Sequence, residues 1–277
     1  MTKKTIILLL GLFLCIACVF CVIQNIMPRI HSQRMVDAIK QNDYESLQKL
    51  VQKHPNAINT TPISLPYFLR RLMDSAPKYP PLHVACKYGR SDMVELLVIH
   101  GADVNLQDDL LHDTPLNMCL RGNTPNKYEI ANVLLENKAD VTLRRRYNDD
   151  YDAIGAFLRG CSGEFNVEEE AFFLHMLTAI DSESYDYGDL LETIILLNHF
   201  KALTLLCEFN DFDINRYRCY EVPPLIYACL VATSNYEMVA LLLEYGADRA
   251  LQDNNGKTAF DYAIEMDNAD IATILKP

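Results

Sequence analysis

Cys15, Cys18 and Cys21 stand three residues apart, a spacing that on paper could present thiolates to a soft metal ion. The residues around them are apolar, and no histidine or acid lies nearby to complete a site, so they read as packing or lipid-facing side chains with S-acylation as the chemical alternative. The other six cysteines, Cys86, Cys119, Cys161, Cys207, Cys219 and Cys229, match neither zinc-site spacing nor a small disulfide framework. His83 has no second histidine or acid at a fixed spacing, so an acid–base pair has no support. The sequence thus implies no catalytic residue, no cofactor-binding residue and no metal ligand, and no enzyme activity of its own.

Charge narrows the partners. Four of the 25 Lys and Arg, and none of the 37 Asp and Glu, fall in the first 34 residues, leaving a net charge of −16 downstream. Such a surface opposes nucleic-acid binding, which depends on neutralising phosphates with basic side chains. It suits plain solubility or a basic protein partner. With half its 277 residues apolar, the chain has enough material for one elongated or two compact cores.

Residues 5–23 are 19 positions without a charge. At about 1.5 Å per residue a helix of that length covers roughly 28 Å, close to the hydrocarbon core of a bilayer. The expectation is a tail over residues 1–4 and one transmembrane anchor over residues 5–27, with no second apolar run of this length. A lipoprotein signal at Ala17-Cys18 and a cleaved secretory signal are the alternatives, and apolar residues continue past both, through Val22 and Ile23. Lys3 and Lys4 before the span compete with Arg29, Arg34 and Lys40 after it, so the side of the membrane carrying the rest of the chain stays open.

The elements that hold the histidines and downstream cysteines come from self-similarity. Pro80-Pro81-Leu82-His83-Val84-Ala85-Cys86 is echoed by Thr114-Pro115-Leu116-Asn117-Met118-Cys119, by Pro223-Pro224-Leu225-Ile226-Tyr227-Ala228-Cys229 and by Thr258-Ala259-Phe260-Asp261-Tyr262-Ala263. Each opening is followed by a helical apolar stripe, such as Met93, Leu96 and Leu97 or Ile130, Val133 and Leu134, headed by an acid that suits the positive end of the helix dipole. Turns close the units at Gly101-Ala102-Asp103-Val104-Asn105, Lys138-Ala139-Asp140-Val141-Thr142 and Gly246-Ala247-Asp248-Arg249-Ala250, with glycine supplying a left-handed cap in two of them. Each unit is therefore turn, helix, short loop, helix.

These residues resemble the ankyrin repeat, most closely over Pro81 to Asn105, where His83, Gly89 and the whole finger match the family pattern. The departures are that only Thr114 keeps the family threonine and only His83 the histidine, with Pro80 and Pro223 standing where threonine is expected. The Thr–His hydrogen bonds between neighbouring repeats should then be partly missing. The fold class implied is an all-α ankyrin-repeat solenoid of about seven helix-turn-helix units, preceded by one N-terminal transmembrane helix. Its repeat domain spans residues 33–277, with units at about 33–60, 80–105, 114–142, a degenerate 147–187, 188–215, 223–250 and 257–277 and an extension at 60–79. Aligned this way, Cys86, Cys119 and Cys229 fall on small inter-helix positions, and His100 sits at the carbonyl end of a second helix.

The resemblance implies a protein partner, bound at finger tips and along the concave side of the first helices, without nucleic acid or small-molecule substrate. The contact residues it implies are Tyr88, Gln107, Asp108, Asp109, Arg121, Arg144, Arg145, Arg146, Asp149, Asp150, Tyr151, Tyr220, Glu221, Asp253 and Asn254. A membrane-tethered interaction scaffold is the function implied. The alternative is a bacterial envelope immunity or enzyme-supporting protein that inhibits or stabilises a partner enzyme.

Overall fold

The computed structural model describes residues 20, 22–62, 79–121, 124–144, 151–161, 164–180, 185, 187–209, 213–216, 222–231 and 236–276. Contacts divide the chain into two compact units, residues 1–139 with 143–150 and residues 140–142 with 151–277.

In the first unit a π-helical turn, Val22–Ile26, runs into α1 (Met27–Gln41). Pro28 sits in the first turn of α1, where its missing N–H costs nothing, and Met35, Val36 and Ile39 form its buried face. Asn42 stops α1 in the left-handed conformation, and the Asp43 carboxylate then caps α2 (Tyr44–Lys53) by accepting from the Ser46 N–H at 3.0 Å. A 3-10 turn, Pro55–Ala57, follows. Next come α3 (Pro81–Lys87), α4 (Ser91–Ile99), α5 (Pro115–Arg121) and α6 (Lys127–Glu136). The first helices α1, α3 and α5 pack in series, and the second helices α2, α4 and α6 form a parallel layer against them. Seven-residue helices such as α3 and α5 are too short to persist alone. They are held by burial, since all six residues from Pro81 to Cys86 and all six from Pro115 to Leu120 are inside.

The second unit holds α7 (Ala153–Gly160), α8 (Val167–Thr178), α9 (Tyr187–Leu197), α10 (Phe200–Phe209), α11 (Pro224–Leu230), α12 (Tyr236–Glu244), α13 (Ala259–Glu265) and α14 (Ala269–Leu275). Here α7, α9, α11 and α13 pack in series, α8 lies on α10, and α12 lies on α14. Capping boxes start α8, through Asn166 and Glu169, and α13, through Thr258 and Asp261. The α7–α8 pair, weakest in repeat pattern, has an aromatic core: Phe157 sits 5.4 Å from the ring centres of Phe165 and Phe172 and 6.1 Å from that of Phe173. Phe172, Phe173, Met176 and Leu177 are its buried stripe, as their spacing predicts.

The described residues contain no strand, and the expected all-helical ankyrin-repeat architecture is present in each unit. No helix among them is long and apolar enough to cross a membrane. Residues 5–19 and 21 of the expected span lie outside the described residues, as do residues 63–78 of the 60–79 extension.

Candidate protein-binding surface

The turns between repeats carry a ladder of asparagine side chains. In the first unit the Asn59 amide donates to the Gly101 carbonyl at 3.0 Å, and its oxygen accepts from the Asp103 N–H at 2.8 Å. Asn105 continues the ladder by donating to the Lys138 carbonyl at 3.1 Å. In the second unit Asn215 repeats the arrangement, accepting from the Asp248 N–H at 2.8 Å and donating to the Gly246 carbonyl at 3.4 Å. Asn59 and Asn215 each satisfy a backbone donor and a backbone acceptor of the next turn, and Asn105 an acceptor, which fixes the register of adjoining fingers. Asp103, Asp140, Asp213 and Asp248 stiffen each tip by accepting the N–H two residues on, at 2.8–2.9 Å.

Several residues of the expected contact set are turned into the fold. Asp108 is not an exposed tip: it is 3 % exposed, and its Oδ1 accepts the Leu110 and Leu111 N–H groups at 2.6 and 2.8 Å. Its backbone N–H donates to the Asp113 carbonyl at 2.9 Å, so the tip folds back on itself and takes Asp108 inward. Gln107 is half-buried, with its amide divided between the carbonyls of His112 at 3.1 Å and Arg144 at 3.0 Å. Tyr151 is also buried, its ring facing the Arg159 guanidinium 5.0 Å away and its Cβ against Gly155. Asp253 closes its own turn, with Oδ1 taking the Asn255 and Lys257 N–H groups and Oδ2 the Tyr262 hydroxyl at 2.6 Å. The Tyr262 hydroxyl is the main reason its carboxyl is pushed down to about 2.

Arg121 reaches inward too. Its Nη1 lies 3.0 Å from the Asp113 carboxylate, which is 1 % exposed. Of the remaining expected residues, Tyr88 is 42 % exposed, Asp109 and Asn254 are exposed, and Arg144 is half-buried. Arg145, Arg146, Asp149, Asp150, Tyr220 and Glu221 lie outside the described residues.

Two features went unread in the sequence. One is a groove of about 320 Å³ lined by Tyr44, Asp92, Glu95, Leu96, Ile99 and His100, between α2 and α4. Ile99 is 80 % exposed there, off the buried Met93–Leu96–Leu97 stripe, and that misplacement was the available signal. The other is His199, buried ahead of α10, whose Nε2 lies 2.8 Å from the Leu158 carbonyl. It has no counterpart in the repeat pattern that singled out His83.

His100 and three of the thiols serve in capping and packing. His100 donates from Nδ1 to the Leu96 carbonyl at 2.8 Å, at the carbonyl end of α4. Pro80 and Pro223, at the N-caps of α3 and α11, form no side-chain cap bond, while Thr114 accepts the Asn117 N–H at 3.1 Å. Cys86, Cys119 and Cys229 are buried at the inter-helix positions expected of them. Burial raises all three thiols, Cys119 and Cys229 to about 12. No group of three or more His, Cys, Asp or Glu among the described residues is placed to hold a metal ion.

This combination of paired helices, stacked first helices and asparagine-bridged fingers agrees with the profile of the family described as ankyrin repeats (3 copies), which matches residues 35–145 and 190–277. The chain belongs to the ankyrin-repeat family. An ankyrin repeat-containing protein of Schizosaccharomyces pombe is 36 % identical over 104 residues, 37 % of this chain and 44 % of that protein. The human ankyrin repeat and SOCS box protein 6 is 41 % identical over 68 residues, 24 % of this chain and 16 % of its own length. The chain thus spans less than half the length of these curated relatives. Among solved structures, an ankyrin repeat protein at 26 % identity gives a TM-score of 0.58, covering 70 % of this chain and 95 % of that one. The ankyrin repeat domain of Bcl-3, at 16 % identity and a TM-score of 0.62, covers 88 % of this chain and 98 % of its own and shares the fold.

Proposed function

We propose that this ankyrin-repeat chain is a protein-binding scaffold, tethered to a membrane through residues 5–27, whose partner rests on the fingers and first-helix ends of the first unit. The observation that carries the reading is a division of labour at the fingers. Side chains tied into the fold by hydrogen bonds or an ion pair, Asn59, Asn105, Asp108 and Asp113 with Arg121, hold the backbone, while Tyr88 and Asp109 stay exposed on it. A pre-ordered backbone lowers the entropy cost of docking, and an exposed tyrosine offers large contact area with few rotors to freeze. The net charge of −12 and the exposed Asp109 favour a basic face on the partner.

The test uses the full-length chain in its native membrane, cross-linked, purified and compared with a Tyr88→Ala, Asp109→Ala double variant. One stoichiometric partner, whose affinity then falls at least tenfold in the variant measured with the purified pair, is the expected result. Equal affinity of the two forms sinks this surface as the binding site. The tether has its own check: the intact chain resists alkaline carbonate extraction and a form lacking residues 5–27 is released, whereas release of both removes the anchor from the proposal.

A further inference from the structure

His31 on α1 and His54, the residue that ends α2, stack face to face with ring centres 3.5 Å apart and planes within 8°. His31 is 9 % exposed, and His54 is half-buried. The charged side chains acting on the pair, Arg34 of α1 and Lys53 of α2, are both cations. The other elements packed on α1 offer no relief. Val22–Ile26 and Pro55–Ala57 have no titratable side chain, and α3 brings His83, whose ring is engaged with the Asp113 carbonyl, and Lys87. Elsewhere on α1 and α2, Asp37 accepts from Gln33 at 2.7 Å and Glu45 pairs with Lys49 at 3.8 Å.

Two neutral imidazoles stack well, whereas two imidazolium rings at this distance, beside two further cations, repel one another. Burial is the first cause holding both rings below the ordinary histidine value of 6.5, and the neighbouring positive charges act in the same direction. A histidine so depressed contributes its full stabilisation above 6.5 and loses it as the pH falls below that value.

We propose that the stacked His31–His54 pair is an acid-sensitive clasp, which holds the turn after α2 against α1 at neutral pH and lets it go on acidification. The turn leads directly to Asn59, the first rung of the finger ladder, and to Thr60, whose carbonyl accepts from the Ser32 hydroxyl. Release therefore withdraws a support from the Gly101–Asp103 finger. The Asp43 cap of α2 is unaffected, because its carboxyl is held below the usual range by bonds from Ser46 and stays ionised. The opening is confined to residues 54–60.

The test is made on the full-length chain in detergent micelles, without a partner. Histidine ring resonances are followed from pH 8 to 4.5, and amide exchange, corrected for intrinsic rates, is measured at pH 7.5 and 5.0. The expected result is that His31 and His54 take up protons in two separate steps below 6.5. Protection of residues 54–60 should drop at least tenfold between the two pH values in the wild-type chain and show no such drop in His54→Asn. His31→Gln, which alters the other ring, should behave as His54→Asn does and covers the case in which that variant fails to fold. Simultaneous titration of both rings at the ordinary value overturns the proposal. So does an equal acid-induced loss of protection in wild type and variants, which would assign the effect to His83 instead.

Discussion

His83, on the first helix of the second pair, lies with Nε2 3.0 Å from the carbonyl oxygen of Asp113, 30 residues along the chain. The bond makes the neutral imidazole a donor and so selects the tautomer with its proton on Nε2. The Asp113 carbonyl takes His83 and the Asp108 N–H, and its buried carboxylate takes Arg121 at 3.0 Å. One loop residue thus joins α3, the finger tip and α5.

His83 is 0 % exposed, and burial is the largest influence on its pKa, driving it below 6.5 against the opposing pull of the Asp113 carbonyl and of Asp108. Above pH 6.5 the ring is neutral in both folded and unfolded chains, and its contribution is complete. As the pH falls below 6.5 the unfolded chain takes up the proton first, so stability declines by up to about 1.4 kcal/mol per pH unit until the folded ring also protonates. His83→Gln should cost about 1–2 kcal/mol at pH 7.5, through the lost buried hydrogen bond, and should flatten this acid slope. Urea melts of the full-length chain at pH 7.5 and 5.5 measure both effects. An unchanged slope in the variant would remove His83 from the account.

Arg121→Met leaves the Asp113 charge buried without its cation. Breaking a fully buried pair costs about 3–5 kcal/mol, but the Arg121 side chain is 34 % exposed, so solvent screening lowers the expectation to roughly 2 kcal/mol. Arg121→Lys keeps the charge and should recover about half of the loss. If Arg121 were instead a free partner contact, both variants would melt with the wild type.

The contrast between Asp108 and Asp109 shows where reading the sequence stops. Helical stripes are legible because burial recurs at 3.6 residues: Met93, Leu96 and Leu97, or Phe172, Phe173, Met176 and Leu177, identify their faces without any knowledge of neighbours. Two adjacent acids in a loop have no such periodicity. Asp108 turns inward because the Leu110 and Leu111 N–H groups need an acceptor, and that need arises only once the tip has folded back to Asp113. Likewise Tyr151 in an acidic stretch looks exposed until Gly155 and Arg159, one and two helical turns along, come up against its ring. The repeat pattern was readable; which tip side chains it consumes was decided by tertiary hydrogen bonds.

The thiols should separate by burial. Cys86 and Cys119 are 0 % exposed and Cys229 is 2 % exposed, and their pKa values, raised by burial, leave almost no thiolate near pH 8. Cys161 is half-exposed. Iodoacetamide at pH 8 should therefore label Cys161 within minutes and spare Cys86, Cys119 and Cys229 until the fold opens. Peptide mass spectrometry, with and without urea, reads the order. Early labelling of Cys86 would contradict the packing described for α3.

Two glycines separate backbone strain from steric conflict. Gly89 and Gly101 both have positive φ, at 67° and 88°, so alanine at either carries the conformational penalty of roughly 1–2 kcal/mol. At Gly101 a Cβ would meet nothing within 4 Å. At Gly89 it would lie 2.5 Å from the Pro125 carbonyl oxygen and 3.1 Å from the Pro125 Cβ, a backbone clash that no side-chain rotation relieves. Gly89 is therefore where the loop entering α4 presses on the loop entering α6. Gly101→Ala should cost about 1 kcal/mol and Gly89→Ala about 3 kcal/mol, as the α6 loop is forced away. Equal losses in paired urea melts would mean that the two loops do not touch as described. A Gly89→Ala deficit relieved by deleting Thr124 and Pro125 would locate the contact at the loop entering α6.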